Sequence, residues 1–369
     1  NDGIVTGNTK GKVTITATAE SNGSSVTVKK TIYSGYITPE PQGDNEEPSE
    51  AQIDMIENRN YGLMMHFGIN TFNNCQWSDG TLPVSSYKPD TIDADQWARV
   101  ASEAGFTHIV VVSMHHDGFC MWDTQYTDYK CTNPESGNTT DVIKELSKAC
   151  EKYGIKLGLY YSLWNRHESY YNDDLVYTEH MKNQFSELLG GEYGEISEIW
   201  LDGAWDKATE RWYLPELYDC IKTLQPNCQV GVNQTIGINN GTITDPSNYK
   251  KYENIKYFPT DFKTWDGKTI ADYDEPKIFT HEGENYYLPY EETVCVRNPF
   301  GGFSWFWDNS YNAGDLYPVE SILQSMEKLH SRDNIFLLNM GIDPSGHMVE
   351  DDIATVYKAA DAMNIAKGS

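Results

Sequence analysis

From about residue 55 onward the chain repeats one alternation, a short apolar run followed by a stretch in which apolar positions recur every three or four residues. Runs at 62–67, 108–114, 156–162, 196–201, 229–233 and 334–340 are apolar nearly throughout, the pattern of parallel strands covered on both faces. Between them, 94–104, 141–153, 177–189, 214–224 and 319–331 carry their apolar residues on one helical face. This alternation over about 300 residues predicts a (β/α)8 TIM-type barrel. The sixth and seventh strands are expected somewhere in 255–307, where the pattern blurs and the barrel should be degenerate. An open doubly wound sheet would want a Gly-rich phosphate turn, and neither GxGxxG nor GxxxxGK occurs.

The first 36 residues follow a different period. Val13, Ile15, Ala17 and Ala19 alternate with threonines, Val26 and Val28 alternate with Thr27 and Lys29, and Asn22-Gly23 lies between the two runs. That predicts a β-hairpin. A hairpin alone is marginal in water, so it should belong to a β-sandwich; it resembles the last strands of a bacterial immunoglobulin-like module. Residues 37–52, rich in Pro and acid with no apolar period, read as a linker, leaving 53–369 for the barrel.

Charge narrows the function. Fifty-five acidic residues against 28 basic ones give a net charge of −27, a field that repels nucleic acid and anionic lipid. No apolar run approaches the ~20 residues that span a bilayer. A neutral polar ligand such as a sugar suits this surface, and 25 Tyr and 10 Trp offer the aromatic faces that sugars pack on. Seven scattered Cys show neither a CxxC pair nor a zinc spacing; Cys120 with Cys131, or Cys220 with Cys228, could pair in an oxidising compartment. The opening Asn1-Asp2-Gly3-Ile4 carries no leader pattern and reads as the start of a processed or excised piece.

In a barrel, chemistry sits at the C-terminal ends of the strands. Those ends hold His66, His115-His116-Asp117, Tyr160-Tyr161, Trp200, Asp202, Asn233-Gln234 and Asn339. Such a set of polar and aromatic groups is what a sugar pocket requires. Trp200 and Asp202 are two apart and so face the same side of their strand, while Gly203 permits a tight turn. The histidines are expected to act as donors to sugar hydroxyls. With no HExxH or HxH spacing they predict no metal centre.

MMHFGINTF, QWSDG, VVVSMHHDGFCMWDTQYTDY, GLYYSLW and IWLDGAW together resemble the retaining α-L-fucosidase family of glycoside hydrolases, with weaker echoes at SWFW (304–307) and NIFLLNMGIDPSGHM (334–348). The resemblance implies a two-carboxylate hydrolysis of terminal α-linked L-fucose from a glycan, with no cofactor. It implies Asp202 as nucleophile and His66, Trp77, His115, His116, Tyr160 and Trp200 as the fucose-binding residues. Gln76 stands where the family usually has Glu. QWSDG and YSLWNR are similar to the branch acting on α-1,3/1,4-linked fucose. A retaining mechanism needs a second carboxyl about 5–5.5 Å from the first. Glu282 in THEGEN is the first candidate for it and Glu291 in PYEETVC the second, followed by Asp261 and Asp266. Two other readings stay open, a glycosidase for a related sugar and an inactive carbohydrate-binding relative. The appended module points to a secreted or cell-surface bacterial protein.

Overall fold

A computed structural model describes residues 11–21, 24–34, 46–235, 238–239, 242–243, 252–266, 276–298 and 304–364. Its centre is a closed barrel of eight parallel strands. In chain order they are β1 (Tyr61–His66), β2 (His108–Met114), β3 (Lys156–Ser162), β4 (Ile196–Asp202), β5 (Gln229–Asn233), β6 (Phe262–Asp266), β7 (Tyr290–Cys295) and β8 (Ile335–Gly341). Pairing of β8 with β1 and of β5 with β6 closes the ring.

The continuous apolar runs follow from burial on both faces. Along β2, Ile109 and Val111 join the layer between barrel and helices, while Val110 and Val112 enter the barrel interior with Met64, Tyr160, Trp200 and Leu337. The same period of two puts Glu198, Trp200 and Asp202 of β4 on the inner face.

Helices α1 (Glu50–Asn58), α2 (Ala94–Glu103), α3 (Val142–Tyr153), α4 (Asp174–Leu188), α5 (Leu214–Leu224), α6 (Val319–His330) and α7 (Glu350–Ala362) surround the strands. Their starts are written locally. Asp93, Asp141 and Asp173 each accept a backbone N–H of the first turn, a cap worth about 1 kcal/mol. Ser49 and Gln52 form a capping box that opens α1, so helix begins three residues inside the segment read as linker.

The barrel is degenerate where the pattern blurred. Among the described residues, no helix lies between β5 and β6 or between β6 and β7. An antiparallel pair, Ile278–His281 with Glu284–Tyr287, joined by Glu253–Asn254, stands before β7 instead. The N-terminal strands Gly11–Ser21 and Ser24–Ser34 pair antiparallel as a hairpin; the Asn22-Gly23 turn lies outside the described residues. All seven cysteines are free thiols, so neither pairing considered from sequence is present.

Candidate active site

At the C-terminal mouth of the barrel, His66, Trp77, His115, His116, Tyr160, Trp200 and Asp202 line one recess together with Met64, Trp205, Asp266 and Trp305. Every residue assigned to sugar binding from sequence is brought here.

Asp202 ends β4 at the centre. Its Oδ2 accepts from the Tyr160 hydroxyl at 2.5 Å, and its Oδ1 accepts from Asn233 Nδ2 at 2.8 Å and from the Gly203 amide at 2.9 Å. Gly203 can supply that amide because it turns with φ +76°, and a Cβ there would stand 2.6 Å from Trp164 Cβ. Burial pushes the Asp202 carboxyl upward, while the bonds from Tyr160, Asn233 and Gly203 pull it back toward the anion.

His115 and His116, adjacent in sequence, both reach the recess. The ladder between β2 and β3 slips its register between Val112 and Met114, and the chain leaves the strand at Met114. Their rings then lie 4.3 Å apart. All three histidines are held neutral by burial, His66 and His116 pushed down to about 3 and His115 well below its ordinary value.

The hydrogen-bond network assigns two tautomers. Ser162 spends its proton on the Trp164 carbonyl, so the 2.6 Å bond between Ser162 and His116 uses a proton on His116 Nδ1. The Asn339 amide donates to the Trp305 carbonyl, so its oxygen accepts from His66 Nδ1 at 2.7 Å. In both rings Nε2 is left as a hydrogen-bond acceptor. Each of these two rings thus presents an acceptor nitrogen, where the sequence reading expected donors; His116 Nε2 lies 3.5 Å from Asp202 Oδ2.

Trp200 forms the floor, fully buried and stacked on Tyr160 at 5.5 Å, while Trp77 stands at the rim, 48% exposed. Gln76 does not line the recess. Its Nε2 donates to the Phe306 carbonyl and to Asp308, and its Oε1 accepts from the Trp305 and Phe306 amides. It clamps the loop that brings Trp305 to the pocket.

The candidates for the second carboxyl separate sharply. Glu282 occupies the exposed turn of the hairpin outside the barrel, at φ +50°, and lines no part of the recess. Glu291 is wholly buried beneath Trp200, whose indole N–H donates to it at 2.9 Å. Asp261 lies at the opposite end of β6, accepting from Tyr218 and the Val230 amide. Only Asp266, at the C-terminal end of β6, joins Asp202: Asn233 Nδ2 donates to Asp266 Oδ1 at 2.7 Å and to Asp202 at 2.8 Å. From sequence Asp266 ranked behind Glu282 and Glu291, because β6, the strand whose end it occupies, could not be placed.

A family profile described as alpha-L-fucosidase matches residues 25–366. The chain belongs to the alpha-L-fucosidase family. It is 30% identical over 346 residues to alpha-L-fucosidase 1 of Arabidopsis thaliana, covering 90% of this chain and 63% of that one. A glycoside hydrolase 29 family member from an unknown rumen bacterium superposes with a TM-score of 0.69 at 26% identity, over 88% of this chain and 58% of the other. An alpha-L-fucosidase of Lactobacillus casei, at 19% identity and a TM-score of 0.63, shares the fold over 86% of this chain and 98% of its own. The chain thus spans about three fifths of the first two relatives. The match to the alpha-L-fucosidase profile takes in the whole barrel and begins inside the N-terminal hairpin.

Proposed function

We propose that this chain is a retaining α-L-fucosidase in which Asp202 is the nucleophile and Asp266 the acid/base. The observation that carries the reading is one amide nitrogen, Asn233 Nδ2, bonded to both carboxylates at 2.8 and 2.7 Å. Two oxygens sharing that nitrogen lie no farther apart than those distances combined, which suits the ~5–5.5 Å of retaining glycosidases. Asp202 attacks the anomeric carbon as the glycosidic C–O bond breaks, and Asp266 gives its proton to the departing oxygen. Water then attacks the fucosyl ester, Asp266 takes a water proton, and Asp202 leaves as a carboxylate. The acceptor nitrogens of His66 and His116 fix two sugar hydroxyls, and Tyr160 steadies the nucleophile.

Glu282 and Glu291 leave the catalytic role under this reading. One stands outside the pocket and the other below its floor. The aromatic rim of Trp77, Trp164 and Trp205 packs around His116 and would receive the sugar next to fucose. Together with QWSDG and YSLWNR it favours α-1,3/1,4-linked substrates. A surface of net charge −27 accords with a neutral extracellular glycan.

The test is Asp266→Ala on two leaving groups. A sugar leaving group needs its proton and an activated phenol does not. The variant should lose at least about a hundredfold on a fucosylated oligosaccharide, far less on nitrophenyl fucoside, and recover with azide. Equal losses on both substrates without rescue would remove Asp266 from the role. No turnover of any fucoside by the wild type would remove the activity.

A further inference from the structure

Beneath Trp200 the barrel interior holds a second set of ionisable groups that the mechanism does not use. Glu198 of β4, Glu291 of β7 and His108 of β2 are each fully buried, and their carboxyl oxygens and imidazole nitrogen lie within 4.8 Å of one another. The fold makes room for them: a Cβ on Gly62 would stand 2.4 Å from the His108 ring. One cation faces the group, Arg59 from the turn between α1 and β1, whose Nη1 donates to Glu198 Oε2 at 3.2 Å while its Nε donates to the exposed Asp54 at 3.2 Å. His108 contributes no charge. Its Nδ1 donates to Thr107, which spends its own proton on the Tyr61 carbonyl, and burial pushes the ring down to about 3.

Three polar atoms remain without a partner, Glu198 Oε1, Glu291 Oε2 and His108 Nε2, and all three are acceptors if both carboxyls are ionised. Two buried anions beside one guanidinium would leave a net charge with no solvent to screen it. A single proton on Glu291 removes one of those two negative charges and supplies a donor for Glu198, leaving His108 Nε2 as the one acceptor unmatched.

We propose that Glu291 keeps its proton at neutral pH and donates it to Glu198, forming a carboxylic acid–carboxylate pair that positions Trp200 under the sugar. The other Glu291 oxygen accepts the Trp200 indole N–H, and Trp200 stacks on Tyr160, which bonds Asp202. Burial and the neighbouring Glu198 both push Glu291 well above the usual carboxylate range; burial raises Glu198 as well, and Arg59 opposes that rise. A divalent cation is the competing way to satisfy three acceptors. The guanidinium already bonded to Glu198 opposes a second positive charge there.

The protonation stands independently of substrate; only its effect on turnover rests on the fucosidase reading. An infrared difference spectrum between wild type and Glu291→Gln at neutral pH should contain the C=O stretch of a neutral carboxylic acid. Gln keeps one donor and one acceptor, so Glu291→Gln should stay within about threefold of wild-type kcat/KM, whereas Glu291→Ala should lose at least about tenfold.

The pH dependence has a defined sign. Below the ordinary Glu value of 4.5 both folded and unfolded chains hold the proton; above it only the folded chain does. Wild type should therefore lose stability relative to Glu291→Gln as pH rises, by about tenfold in the folding equilibrium per pH unit up to the raised folded value. A difference spectrum without the acid band overturns the proposal, as does a parallel pH profile of the two proteins. Stoichiometric metal in purified wild type that is lost in Glu291→Gln would assign the three acceptors to a cation instead. An acid band in a protein that hydrolyses no fucoside would leave the protonation standing and remove only its catalytic consequence.

Discussion

Two pairs of carboxyl groups share this barrel, one at its mouth and one under its floor, and β4 contributes to both. Asp202 and Glu198 lie four residues apart on the same inward face, yet their surroundings differ in the number of donors supplied. At the mouth, a hydroxyl, an amide side chain and a backbone N–H converge on Asp202, and Asn233 extends the set to Asp266. Under the floor, Glu291 receives one indole N–H and Glu198 one guanidinium bond. Burial alone makes a carboxyl hold its proton; burial with several donors returns it toward the anion. Under the proposed reading, the barrel builds a nucleophile and a proton-holding anchor from the same chemical group.

The contrast predicts effects of very different size. Asp202→Asn should lower kcat at least about a thousandfold with folding intact, because an amide cannot attack the anomeric carbon; activity surviving in a folded variant would break the assignment. Tyr160→Phe should cost about tenfold near pH 5 and less near pH 8. It removes one of the bonds opposing burial, so the Asp202 carboxyl moves further up and the acid limb of kcat/KM shifts to higher pH. A downward shift would contradict this account of the nucleophile. Glu282→Ala, changing an exposed turn outside the recess, should stay within about twofold on both aryl fucosides and oligosaccharides. A loss confined to oligosaccharides would restore Glu282 as the proton donor.

What could be seen before folding divides along the same lines. β2, β3 and β5 were readable to the residue because burial on both faces writes continuous apolar runs, and Asp202 was readable because a strand end fixes where a side chain points. β6 and β7 lie between segments without the helical period that frames the other strands, so Asp266 had no strand end to be assigned to. Glu291 adds a second difficulty: its depth along the barrel axis depends on stagger among eight strands, which no local pattern records. The tautomers of His66 and His116 were equally hidden, being set by Asn339 and Ser162, which are distant in sequence from the rings they hold.

The Gln76 clamp carries an evolutionary consequence. All four polar contacts of its side chain are to the 305–308 loop, and two of them are donated, to the Phe306 carbonyl and to Asp308. A glutamate in place of Gln76 would keep the accepted bonds, forfeit the donated ones and set a second anion against Asp308. Positions 76 and 308 are therefore constrained as a unit. A lineage passing from Gln to Glu at the first position has to replace the acid at the second beforehand, and the intermediate in which two carboxylates face each other is the one that selection should remove.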